Sequence, residues 1–225
     1  MIGVFDSGVG GICAFRELRR LMPREDIVYL ADRKNAPYGT KSEEQIIALV
    51  KADIKRLRTV GAEKILIACC TASCIYDSLS YDEKQISLPI INPAAEKAVK
   101  CGERIMVIAT ERTVLSGVFT REVKKYGNAQ VSEFAEQRLV ALVEGGCRDG
   151  RINSECDEIL NRIARTAKEI SADTLILGCT HFSHLEGELK KRCRLKTVSP
   201  AREGALSLLK TINQGRKENG RTIYM

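Results

Sequence analysis

Ile65-Leu-Ile-Ala-Cys-Cys-Thr-Ala-Ser73 carries a short apolar run that stops at a thiol and continues in small polar residues able to start a helix. Its echo is Leu175-Ile-Leu-Gly-Cys-Thr-His-Phe-Ser183. An apolar strand with Cys-Thr at its carboxyl end therefore occurs twice, far apart in the chain. The pair reads as two thiols, Cys69 and Cys179, delivered to one site by two similar halves of a fold.

Working outward, strand and helix patterns alternate. Ile2–Phe5 is a buried strand, and a helix carrying Phe15, Leu18, Leu21 and Met22 follows. Asp26–Ala31 is a second strand, leading into a loop over 32–40. Ser42 and Gln45 form a capping box that starts a helix running to about Val60, which Gly61 ends. Lys64–Ala68 is the third strand, followed by a helix from about Ala72. Leu88–Ile91 is the fourth, closed by Asn92-Pro93. A second unit then begins with strand Arg104–Ala109. Thr113 starts a helix that Gly127 stops, and strand Val131–Phe134 follows. Glu136–Glu144 is helical up to Gly145-Gly146, and Ser154 caps a helix to about Ile170. Strand Thr174–Leu177, helix Phe182–Arg192, strand Leu195–Val198 and helix Arg202–Thr211 close the pattern. The polar last dozen residues are expected to fray.

Such alternation predicts an α/β fold of two similar lobes, each a mostly parallel sheet flanked by helices. Residues 1–91 with 201–225 form the expected first lobe and 92–200 the second. Ligands in such sheets bind beyond the carboxyl ends of strands. Asp6, Cys69 and Cys179 all fall there, so the active site is expected in a cleft between the lobes.

With 225 residues, 44% hydrophobic and 29% charged, the chain has the composition of a globular protein with a real core. No apolar run approaches the roughly 18 residues that cross a bilayer, and the start lacks a secretory pattern. The expectation is a cytoplasmic protein with no membrane partner. Nine cysteines, an odd number set inside strand and helix patterns, predict reduced thiols rather than a disulfide framework. Cys13, Cys74, Cys101, Cys147, Cys156 and Cys193 read as structural or incidental. A net charge of +7 mildly favours anionic partners. The basic residues are interleaved with acids, and aromatics at 5% without Trp argue against a base-stacking surface. No nucleic-acid partner is expected.

The turn Asp6-Ser-Gly-Val-Gly-Gly11 has neither the Lys of a Walker loop nor the dinucleotide glycine spacing. It offers a carboxylate, a hydroxyl and backbone amides to a small anion, or is simply a tight strand-to-helix turn. A thiol at a helix N-terminus should have its thiolate favoured. Zinc at Cys179, His181 and His184 lacks a Cys-x-x-Cys pair to complete it, so no metal is expected, and His184 reads as a surface residue. A Cys-His hydrolase built on Cys179 and His181 would leave Cys69 and Asp6 without a role.

Five motifs then occur in order: Phe-Asp-Ser-Gly-Val-Gly-Gly (5–11), Ala-Pro-Tyr-Gly (36–39), Ala-Cys-Cys-Thr-Ala-Ser (68–73), Ile-Ala-Thr-Glu-Arg-Thr-Val (108–114) and Leu-Gly-Cys-Thr-His-Phe (177–182). Over nearly its whole length the chain resembles the glutamate racemases of the cofactor-independent aspartate/glutamate racemase family. The resemblance implies racemisation of an acidic amino acid, serving peptidoglycan and cell shape, with no cofactor and in a possible homodimer. By the same resemblance Cys69 and Cys179 are the acid/base pair, assisted by Asp6 and His181 respectively. It assigns substrate binding to Asp6, Ser7, Pro37, Tyr38, Gly39, Cys70, Thr71, Thr180 and His181. Three departures stand out. Cys70 occupies a position where the family carries Asn, at a cost of about 0.5–1.5 kcal/mol if a hydrogen bond is lost. Ala31-Asp32 replaces Gly-Asp, and Glu136-Gln-Arg-Leu lacks the family's Cys-Pro. The chain is also short for the family. The alternatives are a racemase of aspartate or another acidic amino acid, or a weakened relative that binds an acidic ligand or a protein partner.

Overall fold

The computed structural model describes residues 1–212 and 220–225. The chain divides into two compact units, Met1–Ile90 with Ala201–Met225, and Ile91–Pro200. Among the described residues every strand pairing within the two sheets is parallel.

In the first unit the strands are β1 (Ile2–Asp6), β2 (Ile27–Ala31), β3 (Lys64–Ile67), β4 (Ser87–Pro89) and β9 (Thr222–Tyr224), in the order β4-β3-β1-β2-β9. Strand β1 is buried along its whole length, as a central parallel strand must be, which is why it reads as a continuous apolar run. Its helices are α1 (Ile12–Leu21), α2 (Glu43–Thr59), α3 (Cys70–Ser73), α4 (Tyr81–Ile86) and α11 (Pro200–Leu209). The register sets Phe5 against Ile67 and Asp6 against Ala31. The chain therefore leaves β1 at Asp6-Ser7 and β3 at Ala68-Cys69 on the same edge of the sheet. Ser42 and Gln45 make the expected capping box on α2.

The second unit has β5 (Arg104–Ala109), β6 (Gln130–Ala135), β7 (Thr174–Gly178) and β8 (Lys196–Val198), ordered β6-β5-β7-β8. Its helices are α5 (Ile91–Val99), α6 (Glu111–Ser116), α7 (Val118–Tyr126), α8 (Arg138–Glu144), α9 (Ser154–Glu169) and α10 (Glu186–Cys193). Ala109 is level with Gly178, so Thr110 and Cys179 leave adjacent strands together. With β9 set aside, both sheets run second-first-third-fourth in chain order. Both thiols follow the third strand, beside the first, where the direction of winding reverses and open α/β sheets bind ligands.

Several expectations are corrected. Asn92-Pro93 does not close a strand but lies in the first turn of α5, where proline's missing N–H costs nothing. Thr110, not Thr113, caps the helix after β5, and Gly117 in the left-handed region (φ 59°) splits it from α7. Asn153, not Ser154, caps α9. The helical turn after β3 starts at Cys70 rather than Ala72, and a 3-10 turn, Thr180–Leu185, precedes α10. Of the tail expected to fray, residues 214–219 lie outside the described residues, whereas Thr222–Tyr224 form β9. Arg19 secures that strand by donating to Arg221 O and Thr222 Oγ1, both at 2.8 Å, and Tyr224 packs against Phe15 and Tyr29.

Candidate active site

In the first unit the site begins with Asp6, fully buried at the end of β1. Gly8 N–H donates to its Oδ1 at 2.8 Å, so the turn folds back over the carboxylate. Gly11 is required by space: a Cβ there would lie 2.4 Å from Asp6 Cβ. Ser7 Oγ is 3.4 Å from Cys69 Sγ, which also accepts from Ala72 N–H at 3.4 Å. Asp6, Ser7 and Cys69 are thus brought together as the sequence predicts.

The expected thiolate at Cys69 is not favoured. Burial first, and the Asp6 carboxylate second, push its thiol up to about 12. The hydrogen bonds from Ser7 and Ala72 pull the other way. A helical turn of four residues supplies too small a dipole to outweigh removal of a sulfur anion from water. Cys70 and Thr71, both buried, open that turn, which packs against the 3-10 turn Tyr38–Thr40.

In that loop Pro37 is exposed and Gly39 half-buried, but Tyr38 is buried with its hydroxyl turned inward. Tyr38 Oη lies 2.7 Å from Asp32 Oδ2 and 3.0 Å from Asp53 Oδ2. The Tyr38 hydroxyl is therefore engaged within the protein, and the part of Tyr38 and Gly39 open to a ligand is their backbone.

In the second unit Cys179 Sγ is 3.6 Å from His181 Nδ1, and His181 Nε2 is 3.2 Å from Glu144 Oε1. The His181 ring thus stands between Glu144 and the Cys179 thiol, one nitrogen toward each. Thr180, between them, is buried. Sequence reading missed Glu144: it stands at the end of an amphipathic helix, 37 residues from His181, with nothing local to mark it. His184, expected at the surface, is half-buried. Among the described residues no group of three His, Cys, Asp or Glu side chains gathers as a metal site, and no helix is long and apolar enough to cross a membrane.

Two parallel α/β units on one strand order, each ending its third strand in a thiol with a proton-handling neighbour, fit an enzyme of the racemase class. The family model of Asp/Glu/Hydantoin racemases matches residues 14–208, and the chain belongs to that family. A glutamate racemase from Desulforudis audaxviator is 36% identical over 194 residues, 84% of this chain and 70% of its own length. A solved glutamate racemase isoform from Bacillus anthracis superposes with a TM-score of 0.86 at 26% identity, covering 100% of this chain and 87% of that one. Another, from Francisella tularensis in complex with D-glutamate, gives 0.87 at 27% identity, covering 99% and 86%.

Proposed function

We propose that this chain interconverts L- and D-glutamate without a cofactor, with Cys69 and Cys179 as acid/base groups on opposite faces of the α-carbon. The observation that carries this reading is the thiol repeated after the third strand of each unit, each with its own relay. Ser7 and Asp6 stand by Cys69, and His181 with Glu144 stands by Cys179.

One sulfur, as thiolate, removes the α-hydrogen as a proton, and the electron pair stays on carbon. The thiol on the other face gives its proton to that carbon, so thiol and thiolate exchange roles with each inversion. Burial and the Asp6 charge favour the protonated thiol at Cys69. Asp6 is the carboxylate able to take that proton when Cys69 must act as base. His181 does the same for Cys179, its ring oriented by Glu144. The hydroxyls of Ser7, Thr71 and Thr180 and the backbone N–H groups of Tyr38 and Gly39, held in place by Pro37, hold the carboxylates and offset charge as the carbanion develops. The D-glutamate bound by the Francisella tularensis relative supports an acidic amino acid as ligand. Supply of D-glutamate for peptidoglycan, in the cytoplasm, is the corresponding role.

Cys70 favours a second reading. A buried thiol is a weak donor and a poor acceptor where the family carries a carboxamide. The same chemistry would then act on aspartate or another acidic amino acid. Both enantiomers of glutamate and of aspartate, incubated with the protein in deuterated water, separate the two. Solvent deuterium at the α-carbon with inversion of glutamate is expected. Faster inversion of aspartate moves the assignment to the second reading, and binding without exchange overturns both.

A further inference from the structure

The buried stripe of α2 is Ile46, Val50, Asp53, Ile54 and Leu57, so a carboxylate sits where the helix otherwise presents aliphatic side chains. Asp53 is 2% exposed, and a charge placed there is costly unless it is used. Its Oδ2 faces Tyr38 Oη, which also faces Asp32 Oδ2. A phenol has one proton and cannot serve two carboxylates at once. Asp32 is already an acceptor, since Asn35 Nδ2 reaches both its oxygens at 3.0 Å. Asp53 is an acceptor as well, its Oδ1 receiving from Arg56 Nη1. Burial first, then the charge of Asp32, push its carboxyl up to about 6, while the bond from Tyr38 and then Arg56, at 3.1 Å, pull it down. Tyr38 Oη therefore donates to one or the other of two buried carboxylates, Asp32 and Asp53, and stands between them.

We propose that Asp53 is a positioning residue for the 37–39 loop: acting through Tyr38 Oη, it ties that loop to α2 and to Asp32 and fixes where its backbone amides point. The proposal rests on the reading above that this backbone meets the substrate's carboxylate. Asp53 belongs to none of the five motifs and lies 15 residues beyond Tyr38. No hydroxyl of the loop needs to touch the ligand for the clamp to matter, because a backbone donor displaced by a fraction of an ångström loses its bond.

Asp53→Ala, Asp53→Asn and Tyr38→Phe in the full chain test this. Amide hydrogen exchange over residues 36–41 reads the clamp without substrate, and steady-state racemisation reads its consequence. In Asp53→Ala, exchange in that segment is expected to rise about tenfold or more relative to β1. KM for glutamate should rise roughly five- to twentyfold with kcat changed less than about twofold. Asp53→Asn, whose carboxamide oxygen still accepts from Tyr38 Oη, should restore both. A residue that only supports the fold would lower the melting temperature and the active fraction, leave KM alone and gain nothing from Asn. Unchanged exchange over 36–41 in Asp53→Ala overturns the inference. Should that variant fail to fold, Tyr38→Phe removes the same bond from the other side and must show the same rise. A wild-type protein that does not racemise glutamate defeats the functional reading alone, because the exchange measurement needs no turnover.

Discussion

The two thiols occupy the same slot in two sheets of the same order, yet their neighbours differ in kind. In the first unit the acid is Asp6, fully buried, on the strand adjacent to the thiol and acting on it without an intermediary. In the second unit the corresponding strand ends in Ala109-Thr110, and Thr110 Oγ1 pairs with Thr113 Oγ1 at 2.9 Å. There the acid is Glu144, its side chain 50% exposed, on a helix and connected to the thiol through an imidazole. One fold plan carries two different sets of polar neighbours at its thiols. A buried carboxylate beside a thiol keeps that thiol protonated. An imidazole can take the proton and carry the charge itself. For the racemisation proposed above, which needs one donor and one acceptor at a time, unlike neighbours are useful.

The comparison breaks most sharply at the sulfurs. Cys69→Ser and Cys179→Ser should each reduce racemisation about a thousandfold or more, some 4 kcal/mol of barrier, because an alkoxide is far harder to form than a thiolate. In deuterated water each variant keeps one working face. Each should therefore wash out the α-hydrogen of one enantiomer only, and the two variants should choose opposite enantiomers. If both exchange the same enantiomer, the thiols do not serve opposite faces and the pairing of units fails.

A smaller effect sharpens the difference between the relays. Asp6→Asn removes a fully buried charge next to Cys69 and should lower kcat about a hundredfold. Glu144→Gln keeps an oxygen that accepts from His181 Nε2, and water already screens the charge it removes, so about a two- to tenfold loss is expected. Steady-state rates in both directions check this. Equal losses from the two variants would mean that the buried and exposed acids do the same job.

Much of this was legible locally. β1, β5 and β7 announce themselves as apolar runs, and the Ser42–Gln45 box needs only four residues of sequence. Asp6, Cys69, Cys179 and His181 could be found because each lies just beyond such a run. What sequence could not give depends on distant partners. β9 exists because Tyr29 and Arg19 are there to receive it. Glu144 matters only through a histidine far along the chain. The direction of the Tyr38 hydroxyl is set by Asp32 and Asp53. The proton on Cys69 reflects burial, which outweighs a dipole that the local pattern made look decisive.

The units also differ in how their buried acids are paired, and pH exposes that difference with the smallest expected effect on activity. In the second unit Glu188 is bonded by Arg192 and Lys191, in that order of influence, and is held below the usual carboxylate range. Its stabilisation is present above its unfolded pKa and is lost as pH falls through its lower folded one. Asp53 has the opposite sign. Its folded pKa of about 6 lies above its unfolded value, so the native state holds the proton more tightly. Stability from this group is full below about pH 4 and declines until about pH 6, where the carboxylate is ionised in both states. Asp53→Asn imitates the protonated acid at every pH. Urea unfolding at pH 4 and pH 7.5 should therefore find the variant close to wild type at the lower pH. At the higher pH it should be more stable by on the order of 1–3 kcal/mol. A difference that does not change between the two would mean that folding does not raise the carboxyl of Asp53.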